Sequence, residues 1–75
     1  MKMTLCYQFG MRVRYLRERL HLSQEDLALE INLSKNYISD IECGRRNPSL
    51  KTIEKIAIGL RVDLSTLLLG VGYKK

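Results

Sequence analysis

The feature that most constrains this chain is a pair of short helical patterns with almost no connection between them. Ser23 is a good N-cap for the first, because its hydroxyl can accept a backbone N–H at a helix start. Asn32 tolerates the left-handed backbone of a tight helix end, and Ser34 can cap the next helix at once. That next helix is expected over residues 35–43, with Gly44 as its stop. The sequence therefore predicts two short helices joined by a tight turn, the helix-turn-helix arrangement, although helical bundles also contain such pairs in a purely structural role.

Three further helical patterns surround this pair, and no strand pattern is present. An apolar stripe at steps of three and four predicts a first helix over about residues 6–20, although Gly10 weakens its early turns. Ser49 is expected to cap a fourth helix with a second stripe, in which Gly59 sits at some cost. Asp63 can cap a short fifth helix. The two stripes consist of Phe9, Val13, Leu16 and Leu20, and of Leu50, Ile53, Ile56, Ala57 and Leu60.

The chain length of 75 residues suits one domain. We predict an all-α, compact five-helix domain over residues 1–75, with a core over about 6–69 and a frayed tail at 70–75. Leu67 and Leu68 of the fifth helix are expected in the core. So short a chain buries a modest core, and a dimer would add stability. Apolar residues left over from the core are the best candidates for a dimer interface: Ile58, Leu64 and Leu69.

Composition excludes several classes of protein. Hydrophobic residues at 45% and charged residues at 28% are typical of a folded soluble domain. The sequence has neither the roughly 20 apolar residues of a membrane span nor a signal peptide, so a cytoplasmic location is expected. Cys6, Cys43 and His21 are too scattered for a zinc site, and free thiols are expected. Without a nucleophile, base and orienting group at suitable spacing, neither an enzyme nor a cofactor nor a small-molecule substrate is expected.

The net charge of +5 favours a polyanionic partner without deciding the matter. The helix over residues 35–43 favours DNA as that partner, because only Ile38 and Ile41 are expected to face inward and the other positions remain exposed. Its exposed positions carry short polar groups and one long cation. A recognition helix needs this layout, because its first turns meet base edges in the major groove. The candidate base-reading residues are Lys35, Asn36, Ser39 and Asp40.

Asp40 leaves two interpretations open. Its carboxylate can accept a hydrogen bond from cytosine N4, or it can pair with Arg45, Arg46 or a lysine and only orient that cation. Phosphate contacts position such a helix and supply most of its affinity. Gln24 can make a phosphate contact at a helix start. A basic loop follows the third helix and can contact the DNA backbone; the alternative is that this loop is only solvated and binds nothing. The candidate phosphate-binding residues are Gln24, Tyr37, Arg45, Arg46, Asn47, Ser49 and Lys51.

Four elements carry a resemblance to the lambda-repressor-like helix-turn-helix family, also called the XRE family. They are SQEDLA, YISDIECG, RNPSLKTIEKIA and LSTLL, in matching order and spacing over about residues 11–69. The resemblance implies a five-helix domain that binds double-stranded operator DNA as a homodimer and regulates transcription. The compact chain is similar to controller proteins of restriction-modification systems and to small phage or plasmid repressors. An antitoxin that neutralises a toxin, and binds DNA too, is the alternative.

The resemblance also assigns roles to single residues. The phosphate-binding glutamine of the family falls on Gln24, and its base-reading positions fall within residues 35–40. Its glutamate at the end of the recognition helix falls on Glu42 and the arginine partner on Arg17, which implies a structural ion pair. Cys43 departs from the polar residue usual there and raises the question of redox sensing. A sensor thiol needs a stabilised thiolate, and a helix C-terminus is the wrong end for one.

Overall fold

The computed structural model describes residues 4–72, and these form five α-helices and no strand. The helices are α1 (Leu5–Arg19), α2 (Gln24–Glu30), α3 (Lys35–Glu42), α4 (Leu50–Gly59) and α5 (Leu64–Leu67). The prediction of an all-α, five-helix fold is confirmed. Over the same range, no helix has both the length and the apolar character that a membrane crossing requires.

A side chain caps the start of every one of these helices. In each case a side-chain oxygen accepts the backbone N–H three residues later, at 2.8–3.1 Å. The predicted N-caps Ser23, Ser34, Ser49 and Asp63 are confirmed. Thr4 caps α1, so this helix begins one residue earlier than its apolar stripe indicates. The Asp26 carboxylate accepts the Ser23 N–H at 2.9 Å, and this bond lowers the pKa of Asp26.

Each of the first four helices is followed, directly after its C-cap residue, by a residue with left-handed backbone. These residues are His21 (φ 59°), Asn32 (φ 58°), Gly44 (φ 78°) and Arg61 (φ 62°). The next N–H then reaches back into the last helical turn, as the Leu33 N–H does to the Ala28 carbonyl at 2.9 Å. The expected turn at Asn32 is therefore confirmed. The same backbone at His21 and Arg61 was not predicted, although histidine, unlike arginine, adopts it more often than most residues.

Each helix contributes at least one side chain with no exposed surface to a single core. These side chains are Val13 of α1, Leu27 of α2, Ile38 of α3, Ile56 of α4 and Leu67 of α5. Burial of this apolar surface is the main term that stabilises the domain. Only one face of α3 packs into this core, so the opposite face remains at the surface.

Close contact between α1 and α3 depends on Gly10. A Cβ at this position would collide with the Ile41 carbonyl oxygen and lie 2.8 Å from the Glu42 carbonyl oxygen. Gly44 similarly lies against the backbone of Tyr7, where a Cβ would be 2.8 Å from the Tyr7 Cα. Gly10 was expected only to weaken α1. Instead, it lets α1 cross the end of α3 at backbone distance and so fixes the orientation of α3.

Two expectations about the C-terminal part were wrong. Leu68 is not in the core: it is 38% exposed, because α5 is a single turn and only Leu67 points inward. Residues 70–72 do not fray. Val71 packs against the core, and the Gly72 N–H donates to Gln8 Oε1 at 2.8 Å, which ties this segment to α1. The rest of the expected tail, residues 73–75, lies outside the described residues.

Candidate nucleic-acid interface

The outer surface of α3 carries the four candidate base-reading side chains. Ile38 and Ile41 are buried against the core, as expected. Lys35 and Asn36, in the first turn, are exposed, and Ser39 and Asp40 are half-buried. The structure therefore brings all four onto one helix, with the most accessible pair at its N-terminus. This is the end of a recognition helix that approaches base edges most closely.

Asp40 lies at the centre of a charged cluster with the loop that follows α3. Its Oδ1 is 3.3 Å from Arg45 Nη1, and its Oδ2 is 3.5 Å from Arg46 Nε. The Arg46 guanidinium also stacks over the Tyr37 ring, 5.2 Å from the ring centroid. We call Asp40, Arg45, Arg46 and Tyr37 the Asp40 cluster. In this structure Asp40 pairs with both arginines. This agrees with the interpretation in which its carboxylate orients the cations of the following loop.

The remaining candidates for phosphate contact differ in how free their polar groups are. Asn47 and Lys51 are exposed near the Asp40 cluster in sequence. The Ser49 hydroxyl accepts the Thr52 N–H at 3.1 Å and donates to Thr52 Oγ1 at 3.1 Å. Its hydroxyl hydrogen must therefore leave Thr52 before it can reach a phosphate. Of the predicted set, Ser49 is the one whose donor is already used within its helix cap.

Glu42 connects the three helices that build this surface. Its carboxylate accepts two bonds from Arg17 of α1, from Nε at 2.6 Å and from Nη2 at 3.0 Å. The two side chains are only 10% and 4% exposed, and the bond to Glu42 raises the pKa of Arg17. The structure thus forms the ion pair that the resemblance implies. Arg17 also donates to the Leu22 carbonyl at 2.7 Å, so it anchors the segment that leads into α2.

Gln24 at the start of α2 donates from Nε2 to Glu42 Oε1 at 3.0 Å. Sequence reasoning did not predict this bond, because a half-buried glutamine and a glutamate 18 residues apart carry no local signal. Since a carboxylate only accepts, the bond turns the Gln24 amide nitrogen toward Glu42. One amide N–H remains for an acceptor outside the chain. The geometry therefore suits the phosphate contact predicted for Gln24.

The predicted dimer residues lie on elements other than α3, in α4 and at α5. Ile58 is 70% exposed, Leu64 41% and Leu69 68%. All three are apolar side chains that the described part of one chain leaves exposed, Ile58 and Leu69 over most of their surface. Both cysteines are free, with Cys6 half-buried and Cys43 exposed. Within residues 4–72, no group of histidine, cysteine and acidic side chains is arranged to hold a metal ion.

Known proteins share both the sequence and the shape of this chain. A sequence model of the helix-turn-helix family matches residues 13–67. Control protein C.MunI of Mycoplasma sp is 48% identical over 61 residues, which cover 80% of this chain and 82% of that protein. The crystal structure of the restriction-modification controller protein C.AhdI from Aeromonas hydrophila superposes with a TM-score of 0.80 at 40% identity, covering 83% of this chain and 94% of that one.

A second solved structure includes DNA. It is the tetramer of the restriction-modification controller protein C.Esp1396I in complex with its natural 35 base-pair operator. The TM-score is 0.84 at 31% identity, and the match covers 93% of this chain and 92% of that one. The family match spans most of the chain and includes the whole α2–turn–α3 unit. The chain belongs to the helix-turn-helix family.

Proposed function

We propose that this chain is a sequence-specific DNA-binding regulator of transcription that binds a two-fold operator as a homodimer. The observation that carries the proposal is the outer surface of α3, where Lys35, Asn36 and Ser39 are accessible beside a basic loop. In a major groove, asparagine can pair with adenine N6 and N7, and lysine can donate to guanine O6 and N7. These residues are the proposed readers of base sequence.

Phosphate contacts would hold α3 in the groove from both sides. The start of α2 supplies the Gln24 amide, and the segment after α3 supplies Arg45, Arg46, Asn47 and Lys51. Tyr37 lies beneath Arg46 and can support it against a phosphate. Because such contacts release condensed counterions, the affinity should fall steeply as salt is raised.

A dimer is part of the proposal because one such helix reads only a few base pairs. Two-fold dimers present two recognition helices to half-sites about 34–36 Å apart, one turn of DNA. Ile58, Leu64 and Leu69 are the proposed contact residues between the two copies, since all three are exposed and apolar in the single chain. The tetramer of C.Esp1396I on its operator supports self-association on DNA.

Within the family, we assign the chain to the restriction-modification controller proteins. The support is the similarity to C.AhdI, which is named as a restriction-modification controller protein, and to C.MunI, which is named as a control protein; both match most of this chain. A controller would bind the promoter of its own gene or of a linked gene. Because that DNA is in the bacterial cytoplasm, the protein would be located there too. A footprint of the protein on the promoter of its own gene tests this assignment, and an unprotected promoter would contradict it.

The DNA-binding proposal is tested by fluorescence anisotropy with two duplexes. One is recovered from a random pool by the wild-type chain, and the other has the same composition in scrambled order. Asn36→Ala should weaken binding to the selected duplex by about 1–3 kcal/mol and relax the preference at one base pair. Arg46→Ala should weaken binding to both duplexes and flatten the salt slope by about one unit. Equal affinity of the wild-type chain for both duplexes at physiological salt would refute sequence-specific binding.

A further inference from the structure

Asp40 has an unusual position for an acidic residue. It lies on the side of α3 that the proposed function places against DNA, yet its charge is the one that DNA repels. Its side chain is 31% exposed, and its carboxylate contacts both arginines of the following loop, at 3.3 and 3.5 Å. Two cations suited to phosphates, Arg45 and Arg46, are therefore engaged on the reading surface of the free chain.

We propose that Asp40 determines specificity by exchanging Arg45 and Arg46 for the N4 amino group of a cytosine. This inference rests on the proposed function and names the mechanism by which wrong DNA is rejected. A carboxylate in the major groove can accept from cytosine N4. Where that cytosine is present, Asp40 gains a new donor, and both arginines become free to bind phosphates.

On DNA that lacks the cytosine, the same exchange leaves Asp40 without a partner. Phosphates compete well for Arg45 and Arg46, because exposed ion pairs such as theirs with Asp40 are weak. The carboxylate is then left unpaired and partly dehydrated beside a polyanion, which is unfavourable. Discrimination thus arises from the unpaired carboxylate on the wrong sequence, and not from the strength of the ion pairs in the free chain.

The stacking of Arg46 on Tyr37 makes the exchange a small movement. The guanidinium lies 5.2 Å from the ring centroid and 3.5 Å from Asp40, so it can leave the carboxylate while it stays on the ring. Arg45 has no such support, and its side chain is 69% exposed. Both arginines thus start next to α3, where phosphates of a bound duplex would pass.

The charge of Asp40 is tested with Asp40→Asn, which keeps the shape of the side chain and one acceptor oxygen. Anisotropy titrations use the selected and the scrambled duplex. We expect the affinity for the scrambled duplex to rise about tenfold, the size of one base-pair mismatch. The affinity for the selected duplex should change much less, so the ratio of the two dissociation constants falls. An unchanged ratio would overturn the inference.

Glu18→Gln is the matched control for charge. Glu18 pairs with Arg14 at 3.1 Å on the exposed surface of α1, so this variant also removes one carboxylate and frees one arginine. It lies outside the reading surface and should raise the affinity for both duplexes by the same factor. If it lowers the ratio as much as Asp40→Asn does, general charge and not the Asp40 cluster explains the effect, and the inference fails.

The cytosine is tested with Asp40→Ala, which removes the acceptor as well. Each C·G pair of the selected half-site is replaced in turn, and binding is measured for both proteins. The wild-type chain should lose about tenfold in affinity at one C·G pair, and Asp40→Ala should be indifferent to that replacement. The same loss in both proteins at every C·G pair would overturn the inference alone. A wild-type chain that does not distinguish selected from scrambled DNA would overturn the proposed function as well.

Discussion

Glu42 shows how much of the site depends on single residues that are not proposed readers of base sequence. Its carboxylate binds Arg17 of α1 and Gln24 of α2 while it stands at the end of α3. A buried charge is tolerated only when it is paired and hydrogen-bonded, and this one has three donor atoms within 3.0 Å. The same residue therefore holds the helices together and orients a proposed phosphate donor.

Arg17→Met should destabilise the fold strongly, because it leaves the Glu42 carboxylate buried with only Gln24 as a donor. Removal of one partner from a buried ion pair typically costs about 3–5 kcal/mol. Urea unfolding followed by circular dichroism measures the change. Arg14→Met is the control on the same helix, since Arg14 and its partner Glu18 are both mostly exposed and such pairs contribute about 1 kcal/mol or less. Similar losses in the two variants would show that Glu42 is not held by charge pairing.

Among the elements, the close crossing of α1 and α3 depends on Gly10, because a glycine has no Cβ to separate the two backbones. Gly10→Ala should destabilise the domain by about 1–3 kcal/mol, because its Cβ meets backbone atoms of α3 that cannot yield. Gly59→Ala is the matched variant: there a Cβ would meet only side-chain atoms, Ile31 Cγ2 at 2.5 Å and Leu27 Cδ1 at 2.8 Å. Side-chain atoms yield more readily than backbone atoms, and alanine gains about 0.5–1 kcal/mol of helix propensity over glycine. Urea midpoints should rank Gly10→Ala well below Gly59→Ala, and the reverse order would refute the backbone collision.

The start of α5 should carry a pH dependence. Asp63 accepts the Thr66 N–H at 2.8 Å and the Ser65 hydroxyl at 3.0 Å, and the bonds to Thr66 and Ser65 hold its pKa below the ordinary 3.8. A carboxylate with a lowered folded pKa stabilises the fold above its unfolded pKa, and this stability is lost as the pH falls through the folded pKa.

Asp63→Asn should therefore lose less stability than the wild-type chain on acidification. Asparagine still caps the helix but carries no titrating group. Urea midpoints at about pH 7 and about pH 3 give the loss for each protein, since the unfolded carboxylate titrates between these values. Glu54→Gln, an exposed carboxylate outside any cap position, is the control and should behave as the wild-type chain. An equal loss for Asp63→Asn and the wild-type chain would contradict the role of the cap.

Local signals explain what could be predicted from the sequence at this scale. A serine or aspartate before an apolar stripe is a property of four or five adjacent residues, so the caps of α2 to α5 and the turn at Asn32 were predictable. The role of Gly10, the bond from Gln24 to Glu42 and the exposure of Leu68 depend on which elements meet in space. No neighbouring residue carries that information. The Arg17–Glu42 pair was predictable only because the family resemblance relates two positions 25 residues apart.

In the whole molecule, the proposed readers of base sequence and the proposed dimer-contact residues are on different elements. The candidate readers are on α3, whereas Ile58 belongs to α4 and Leu69 follows α5. This separation is what a two-fold assembly on DNA needs, because each copy must keep α3 free while it contacts its partner. A domain of this size also gains stability from the apolar area that a partner covers.

Ile58→Glu should therefore convert a dimer into a monomer. A glutamate in an apolar two-fold interface would be buried without a partner, and would also meet its own symmetry mate. Sedimentation velocity at matched concentrations measures the change. Leu50→Glu is the control, because Leu50 is 76% exposed at the opposite end of α4 and outside the predicted contact.

The monomer should also lose the dependence of DNA affinity on half-site spacing. The wild-type dimer should bind best when the half-sites are about 34–36 Å apart, because its two recognition helices are held at one turn of DNA. Ile58→Glu should bind such a duplex no better than one with five base pairs inserted, which places the half-sites about half a turn out of phase. If Ile58→Glu remained dimeric and kept the spacing preference, Ile58 would lie outside the contact between the two copies.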